Sequence, residues 1–152
     1  PVVDLAIDGA DQVERGSLDM IKGMGGALLR EKIVASAARR LIIMVDDSKL
    51  VDRLGNTLLP VEIVAFGWRA TLQRLESAGF TATLRGGDRP FMTDGGNRIA
   101  DCVVGVIDDA ARLDAKIRGL VGVVETGLFL GFAAQVIVGR PQGVEVLERC
   151  AR

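Results

Sequence analysis

The sequence contains no histidine and no tyrosine. Without imidazole there can be no Ser-His-Asp triad, no histidine metal ligand and no histidine general base, so acid–base work falls to carboxylates and lysine. Aromatic residues make up 4%, with Trp68 the single tryptophan, too few for the stacking platforms that hold single-stranded nucleic acid. A net charge of −1 and a pI near 5.5 supply no basic field for a phosphodiester backbone, so no nucleic-acid partner is expected. Cys102 and Cys150 lack CxxC spacing and suit a reducing compartment, hence a cytoplasmic location, better than a disulfide scaffold. No charge-free run has the length a bilayer needs and no signal-peptide pattern opens the chain, so no membrane partner is expected.

What is present is a globular balance of 49% hydrophobic and 26% charged residues over 152 positions, enough for one domain or two small ones sharing a core. Apolar runs at 2–7, 41–45 and 135–138 read as strands of a mostly parallel sheet. A Gly-rich loop, Gly23-Met24-Gly25-Gly26, and a helix over 27–40 join the first two, the outline of a right-handed βαβ unit. Because the first strand starts at once, from Pro1 and without an initiator Met, an N-terminal part is expected to be missing.

Beyond the punctuation of Gly55-Asn56 and Pro60 the pieces shorten. Strands are expected at 61–66, 81–84, 98–104 and 121–125, and helices at 68–78 and 110–119, the latter capped by Asp108 or Asp109. Arg85-Gly86-Gly87-Asp88-Arg89-Pro90 reads as an exposed loop and Asp94-Gly95-Gly96-Asn97 as a hairpin turn without chemistry. The β-α-β-β-α-β order is a ferredoxin-like signature. The expected architecture is therefore α/β: a mostly parallel sheet domain flanked by helices, residues 1–56 plus 135–152, with an inserted ferredoxin-like α+β domain over 57–134.

Ligands of parallel sheets gather at the carboxyl ends of the strands. Asp8-Gly9-Ala10-Asp11 and Asp46-Asp47-Ser48-Lys49 both fall there. The first reads equally as a turn, as a pair of acids for sugar hydroxyls, or as a cation site that Lys22 would oppose. Lys49 is a solvated turn residue or a point charge for phosphate. Lys22-Gly23-Met24-Gly25-Gly26-Ala27 has neither P-loop spacing nor a full GxGxxG, Leu28 standing at the third glycine. It is a flexible connector, or a loop whose backbone amides approach a ligand oxygen at a helix N-terminus beside Lys22. Helical spacing groups Glu31 with Ala27, Val34, Ala35 and Ala38, and puts Lys32, Ser36 and Arg39 on a polar stripe. Glu31 is then either a desolvated general base or a first-turn acid serving the helix dipole, with Arg30 available to neutralise it.

Taken jointly, Asp8-Gly9-Ala10-Asp11, residues 22–32, Asp46-Asp47-Ser48-Lys49, Leu59-Pro60-Val61-Glu62, Thr93-Asp94-Gly95-Gly96-Asn97 and Gly127-Leu128-Phe129 resemble ribose-5-phosphate isomerase of the A type over nearly the whole chain. The resemblance implies interconversion of D-ribose 5-phosphate and D-ribulose 5-phosphate through an enediolate in the pentose phosphate pathway, without metal or organic cofactor, in a homodimer or homotetramer. It implies Glu31 as the base, Asp8, Asp11 and Lys22 as catalytic partners, and substrate binding by Asp8, Gly9, Ala10, Asp11, Lys22, Gly23, Met24, Gly25 and Lys49. The amides of Gly23, Met24 and Gly25 would face the developing oxyanion. The chain departs from the family pattern in three ways: the phosphate loop that opens such enzymes is absent, Met24 replaces a glycine, and Thr126 stands where histidine is common. Little activity is therefore expected of the 152 residues alone, with an exposed sheet edge. Two other readings are a non-catalytic sugar-phosphate-sensing domain, which would need no base, and a fragment with no function of its own.

Overall fold

The computed structural model describes residues 3–149; Val2 of the first expected strand and Cys150 lie outside them. In chain order the first half holds β1 (Ala6–Asp8), β2 (Gln12–Glu14), β3 (Met20–Ile21), α1 (Leu28–Ala37), β4 (Leu41–Asp46), a 3-10 turn (Asp47–Lys49) and β5 (Leu50–Val51). There follow β6 (Gly55–Ile63), α2 (Trp68–Ser77), β7 (Thr81–Leu84), β8 (Arg98–Val106), α3 (Ala110–Arg118) and β9 (Val123–Thr126). The chain closes with β10 (Leu128–Phe129), β11 (Ala133–Arg140) and β12 (Gly143–Glu148).

One sheet runs β1-β4-β11-β12, parallel except for the final hairpin. Its apolar inner face, Ala6, Ile43, Val136 and Val138, packs on Ala35 of α1 and on Phe129. A second sheet, β7-β8-β6-β9, is antiparallel throughout, and Leu75 of α2 and Ile117 of α3 close its core over Leu59, Val61 and Ile63. The third, β10-β3-β2-β5, stitches the two cores together. In its β3–β10 pair Met20 lies opposite Phe129 and both enter the first core, while Ile21 lies opposite Leu128 and both enter the second. Strand alternation thus lets two residues per strand serve two cores.

Some expectations change. Gly55, Asn56 and Pro60 do not end an element but belong to β6. Pro60 is tolerated because its carbonyl faces Gly127, whose N–H it accepts at 2.7 Å, on the side where the β9 ladder starts only at Val61. On α1 the polar stripe is misplaced: Lys32 is buried together with Leu28 and Ala35, while Val34, expected beside Glu31, is 49% exposed. The cause is a set of acceptors across from α1, described below. The short strands β2, β3, β5 and β10 had no periodic signal to read. No described helix is long and apolar enough to cross a membrane.

Candidate active site

The site is assembled where β1 and β3 hand over to loops. Asp8 ends β1, and its Oδ1 accepts the N–H of the next residue, Gly9, at 2.8 Å. Asp11 N–H donates to Ile21 O at 2.9 Å, which folds the turn back onto β3. Directly after β3, Lys22 N–H donates to Gly127 O at 2.8 Å. A Cβ on Gly127 would stand 2.3 Å from Lys22 O, so only glycine permits the two backbones to approach this closely.

The Lys22 side chain, 3% exposed, is the hub. Its Nζ lies 3.0 Å from Asp8 Oδ2 and 3.2 Å from Glu31 Oε2, and donates to Gly9 O. Glu31 sits in the first turn of α1 with about a quarter of its side chain exposed. Its buried Oε2 feels the ammonium charge but makes no hydrogen bond, so it keeps lone pairs for a ligand proton. Arg30 does not neutralise Glu31: it turns outward to Asp94, at 2.9 Å from the carboxylate and 3.0 Å from the carbonyl, because Lys22 already holds the inner position.

Between Lys22 and Glu31, Gly23 takes φ +110° and a Cβ there would meet Leu28 at 2.9 Å. Gly26 N–H closes a turn onto Gly23 O at 3.0 Å. Met24 is not among the residues of positive φ, so its side chain is carried there without backbone strain, and its N–H donates to Asp11 Oδ2 at 3.0 Å. Gly25 borders open space. Asp8, Asp11, Lys22, Glu31 and the glycine loop, with Gly9 and Ala10 in the intervening turn, therefore converge. Lys49 is brought to the same edge by register alone: Leu50 pairs with Val13, which sets Lys49 level with Gln12, the neighbour of Asp11. Nearby, two hydrogen bonds from Ser48 hold the Asp46 carboxyl below its ordinary range. The gap between Asp8 and Glu31 that a cation would need is filled by Lys22 Nζ, and among the described residues no cluster of three or more metal-ligating side chains occurs.

Three charged groups escaped the sequence reading. Lys32 Nζ donates to Glu125 Oε1 at 3.0 Å, Thr126 O at 2.8 Å and Leu128 O at 2.7 Å, under a cleft of about 330 Å³ that Asp114 and Arg118 help line. Desolvation pulls this ammonium below the ordinary lysine value against the opposing pull of Glu125. Thr126 is fully buried and donates its hydroxyl to Asp114 while accepting Leu128 N–H at 3.2 Å. Glu62, 1% exposed, accepts from Thr93 at 3.0 Å and Asn97 at 2.9 Å and so ties down the hairpin turn. Arg85 is not a loop residue in solvent: it reaches Gly23 O and Met24 O and pairs with Asp101. The signal for all three was an acid inside an otherwise apolar strand, Glu62, Asp101 and Glu125, since a buried carboxylate demands a partner.

Residues 1–143 match the family model for ribose 5-phosphate isomerase A (phosphoriboisomerase A). The chain is 52% identical over 147 residues to the ribose-5-phosphate isomerase A of Gluconobacter oxydans, covering 94% of this chain and 64% of that protein. The solved ribose 5-phosphate isomerase A of Methanocaldococcus jannaschii superposes with a TM-score of 0.89 at 40% identity, over 98% of this chain and 67% of that one. A D-ribose-5-phosphate isomerase solved in complex with phospho-erythronic acid gives a TM-score of 0.89 at 39% identity, over 97% and 66%. The chain thus spans a little under two thirds of the length of the Gluconobacter relative.

Proposed function

The chain belongs to the ribose 5-phosphate isomerase A family, and on that premise we propose that the protein carrying it interconverts D-ribose 5-phosphate and D-ribulose 5-phosphate. The observation that carries this reading is the buried Glu31 Oε2, without a hydrogen bond, 3.2 Å from a lysine that also holds Asp8 at 3.0 Å. Glu31 removes the proton from C2 of the open-chain aldose. The electron pair moves into the C1–C2 bond and the carbonyl π electrons move to O1. Lys22 and the loop amides stabilise the resulting enediolate charge, which in such chemistry lowers the barrier more than any other single effect. The O2 proton passes to O1 with help from Asp8, Asp11 and Lys22, and Glu31 returns its proton to C1, leaving the ketose. The same groups assist ring opening, and Lys49 helps hold the phosphate as a point charge. The backbone of Gly9, Ala10, Gly23, Met24 and Gly25 lines the sugar. A sensing domain would need the binding groups but not a carboxylate left free for a proton.

The architecture we assign is a sheet part, residues 1–56 plus 135–152, with an inserted ferredoxin-like part at 57–134; the β-α-β-β-α-β order of β6 to β9 within one antiparallel sheet supports it, although β6 itself begins at Gly55. The family match implies a place in the pentose phosphate pathway, and we further propose a homodimer or homotetramer in the cytoplasm, a compartment that suits the free, buried Cys102 thiol. The experiment is turnover of ribose 5-phosphate, with solvent exchange of the C2 hydrogen, by a polypeptide carrying this chain at its relatives' full length. Exchange and turnover that both vanish in Glu31→Gln are expected; binding without exchange in the unaltered protein overturns the assignment in favour of a sensor.

A further inference from the structure

We propose that Arg85, braced by Asp101, is a positioning residue that turns two successive amides of the glycine loop toward the enediolate; the inference rests on the isomerase reading above. Arg85 Nη1 donates to Gly23 O at 3.0 Å and to Met24 O at 3.1 Å. In a trans peptide the N–H points opposite to its C=O, and no described peptide bond is cis. The two gripped carbonyls belong to the same peptide units as the N–H groups of Met24 and Gly25. Both amides therefore face away from Arg85, toward the side where Met24 N–H meets Asp11 Oδ2 at 3.0 Å.

Successive residues in extended chain alternate their amides. Two neighbouring amides on one side form instead a nest, a concavity that binds an anionic oxygen. A cation seated behind both carbonyls also polarises the two peptides in the direction that strengthens their N–H groups as donors. The grip is not a stray surface contact. Arg85 Nε lies 2.9 Å from Asp101 Oδ2 and Nη2 2.5 Å from Oδ1, a bidentate fork whose side chains are 17% and 14% exposed. Asp101 lies opposite Pro60 in the β6–β8 ladder, so the brace is anchored in the second sheet. Phe91 adds a wall: its ring is 5.9 Å from the guanidinium and fills the space a Cβ on Gly26 would take. Lysine does not reproduce this arrangement, since an ammonium lacks the planar fork that makes two parallel N–H···O bonds to the Asp101 carboxylate while a third nitrogen donor grips the loop.

The test uses a polypeptide carrying the chain at its relatives' full length, with Arg85→Ala, Arg85→Lys and Asp101→Asn. Removing one oxyanion donor typically costs ~10²–10³ in kcat, so Arg85→Ala is expected to lower kcat about 100-fold with KM changed less than about threefold, and Arg85→Lys to recover only part. Phospho-erythronic acid, whose carboxylate carries negative charge on oxygen as the enediolate does, should bind at least about 10-fold more weakly to each variant. Amide hydrogen exchange reads the geometry independently of turnover: protection at Met24 should fall in all three variants while that of Cys102 in β8 persists. Unchanged protection at Met24, or unchanged kcat in an active protein, overturns the proposal. If the unaltered protein does not isomerise, the isomerase reading fails by itself and the exchange at Met24 alone decides the role of Arg85. Should Arg85→Ala lose the Cys102 protection too, Arg85→Lys and Asp101→Asn decide between positioning and simple structural support.

Discussion

Two buried lysines flank one phenylalanine, and their surroundings differ in the way that matters for chemistry. Lys22 and Lys32 stand 5.4 Å and 4.7 Å from the ring centre of Phe129 and are 3% and 8% exposed. An ammonium has three N–H donors. Lys32 spends all of them on Glu125, Thr126 O and Leu128 O, and Glu125 is itself nearly buried, so every charge there is matched inside the protein. Lys22 faces two carboxylates, Asp8 and Glu31, that remain 34% and 27% exposed, one with an oxygen lacking any hydrogen bond. A saturated buried charge is architecture. A buried charge whose partners open to solvent can exchange one of those contacts for a substrate oxygen.

The largest expected effect breaks the comparison into its two halves. In a full-length polypeptide, Glu31→Gln should reduce isomerisation ~10²–10⁴-fold, the span of general acid–base catalysis, while urea unfolding changes little. Lys32→Met should do the reverse. Leaving buried Glu125 with only the half-exposed Arg118, at 3.5 Å, as its cation is expected to cost up to ~3–5 kcal/mol of stability, and the double variant Lys32→Met/Glu125→Gln should recover much of it. A Lys32→Met protein as stable as its parent would mean that the two lysines do not differ as described.

The contrast was only half legible in the sequence. Asp8, Asp11, Lys22 and Glu31 could be read because each lies at a strand end or helix start, where chain order alone fixes which residues meet. The strands 41–45 and 81–84 and the helix beginning at Trp68 carried clear periodic signals, and β4, β7 and α2 follow them closely. Lys32 could not be read, because helical periodicity assigns a lysine to the solvent face unless one knows that Glu125 and two carbonyls, more than ninety residues on, wait opposite. Arg85 was lost for the same reason: its partners at Gly23 and Met24 are about sixty residues earlier in the chain. Local pattern reports a charge, and only the fold reports what answers it.

A smaller effect sharpens the dry side of the comparison. Cys102, in β8 beside Asp101, is fully buried, and desolvation together with the neighbouring carboxylate pushes its thiol from 9.0 up to about 12. The folded state therefore keeps the proton that the unfolded chain loses, so the stability this thiol contributes is fully present below pH 9 and is lost as pH rises from 9 toward about 12. The slope attributable to it is at most ~1.4 kcal/mol per pH unit. Cys102→Ala should flatten that part of the unfolding curve, and Cys102 in the native protein, read separately from Cys150 by peptide mapping, should resist alkylation at pH 9; rapid labelling at Cys102 would place the thiol in a wetter setting.

The smallest effect lies one residue from the base. Arg30 and Asp94 form an ion pair at 2.9 Å with side chains 62% and 64% exposed, so solvent screens it and both long side chains lose freedom in making it. Its geometry is as good as that of Lys32 with Glu125 at 3.0 Å, and distance alone would rank the two equal. Burial says otherwise. Arg30→Ala is expected to cost ~1 kcal/mol or less and to lose even that in high salt, because the partner it leaves behind is hydrated rather than stranded. Measuring Arg30→Ala and Lys32→Met side by side in low and high salt separates contact length from desolvation. A salt-insensitive loss of several kcal/mol on removing Arg30 would show that the hairpin turn at Asp94 needs this tether to hold its place over α1, and would move the boundary of the matched interior outward by one helical position.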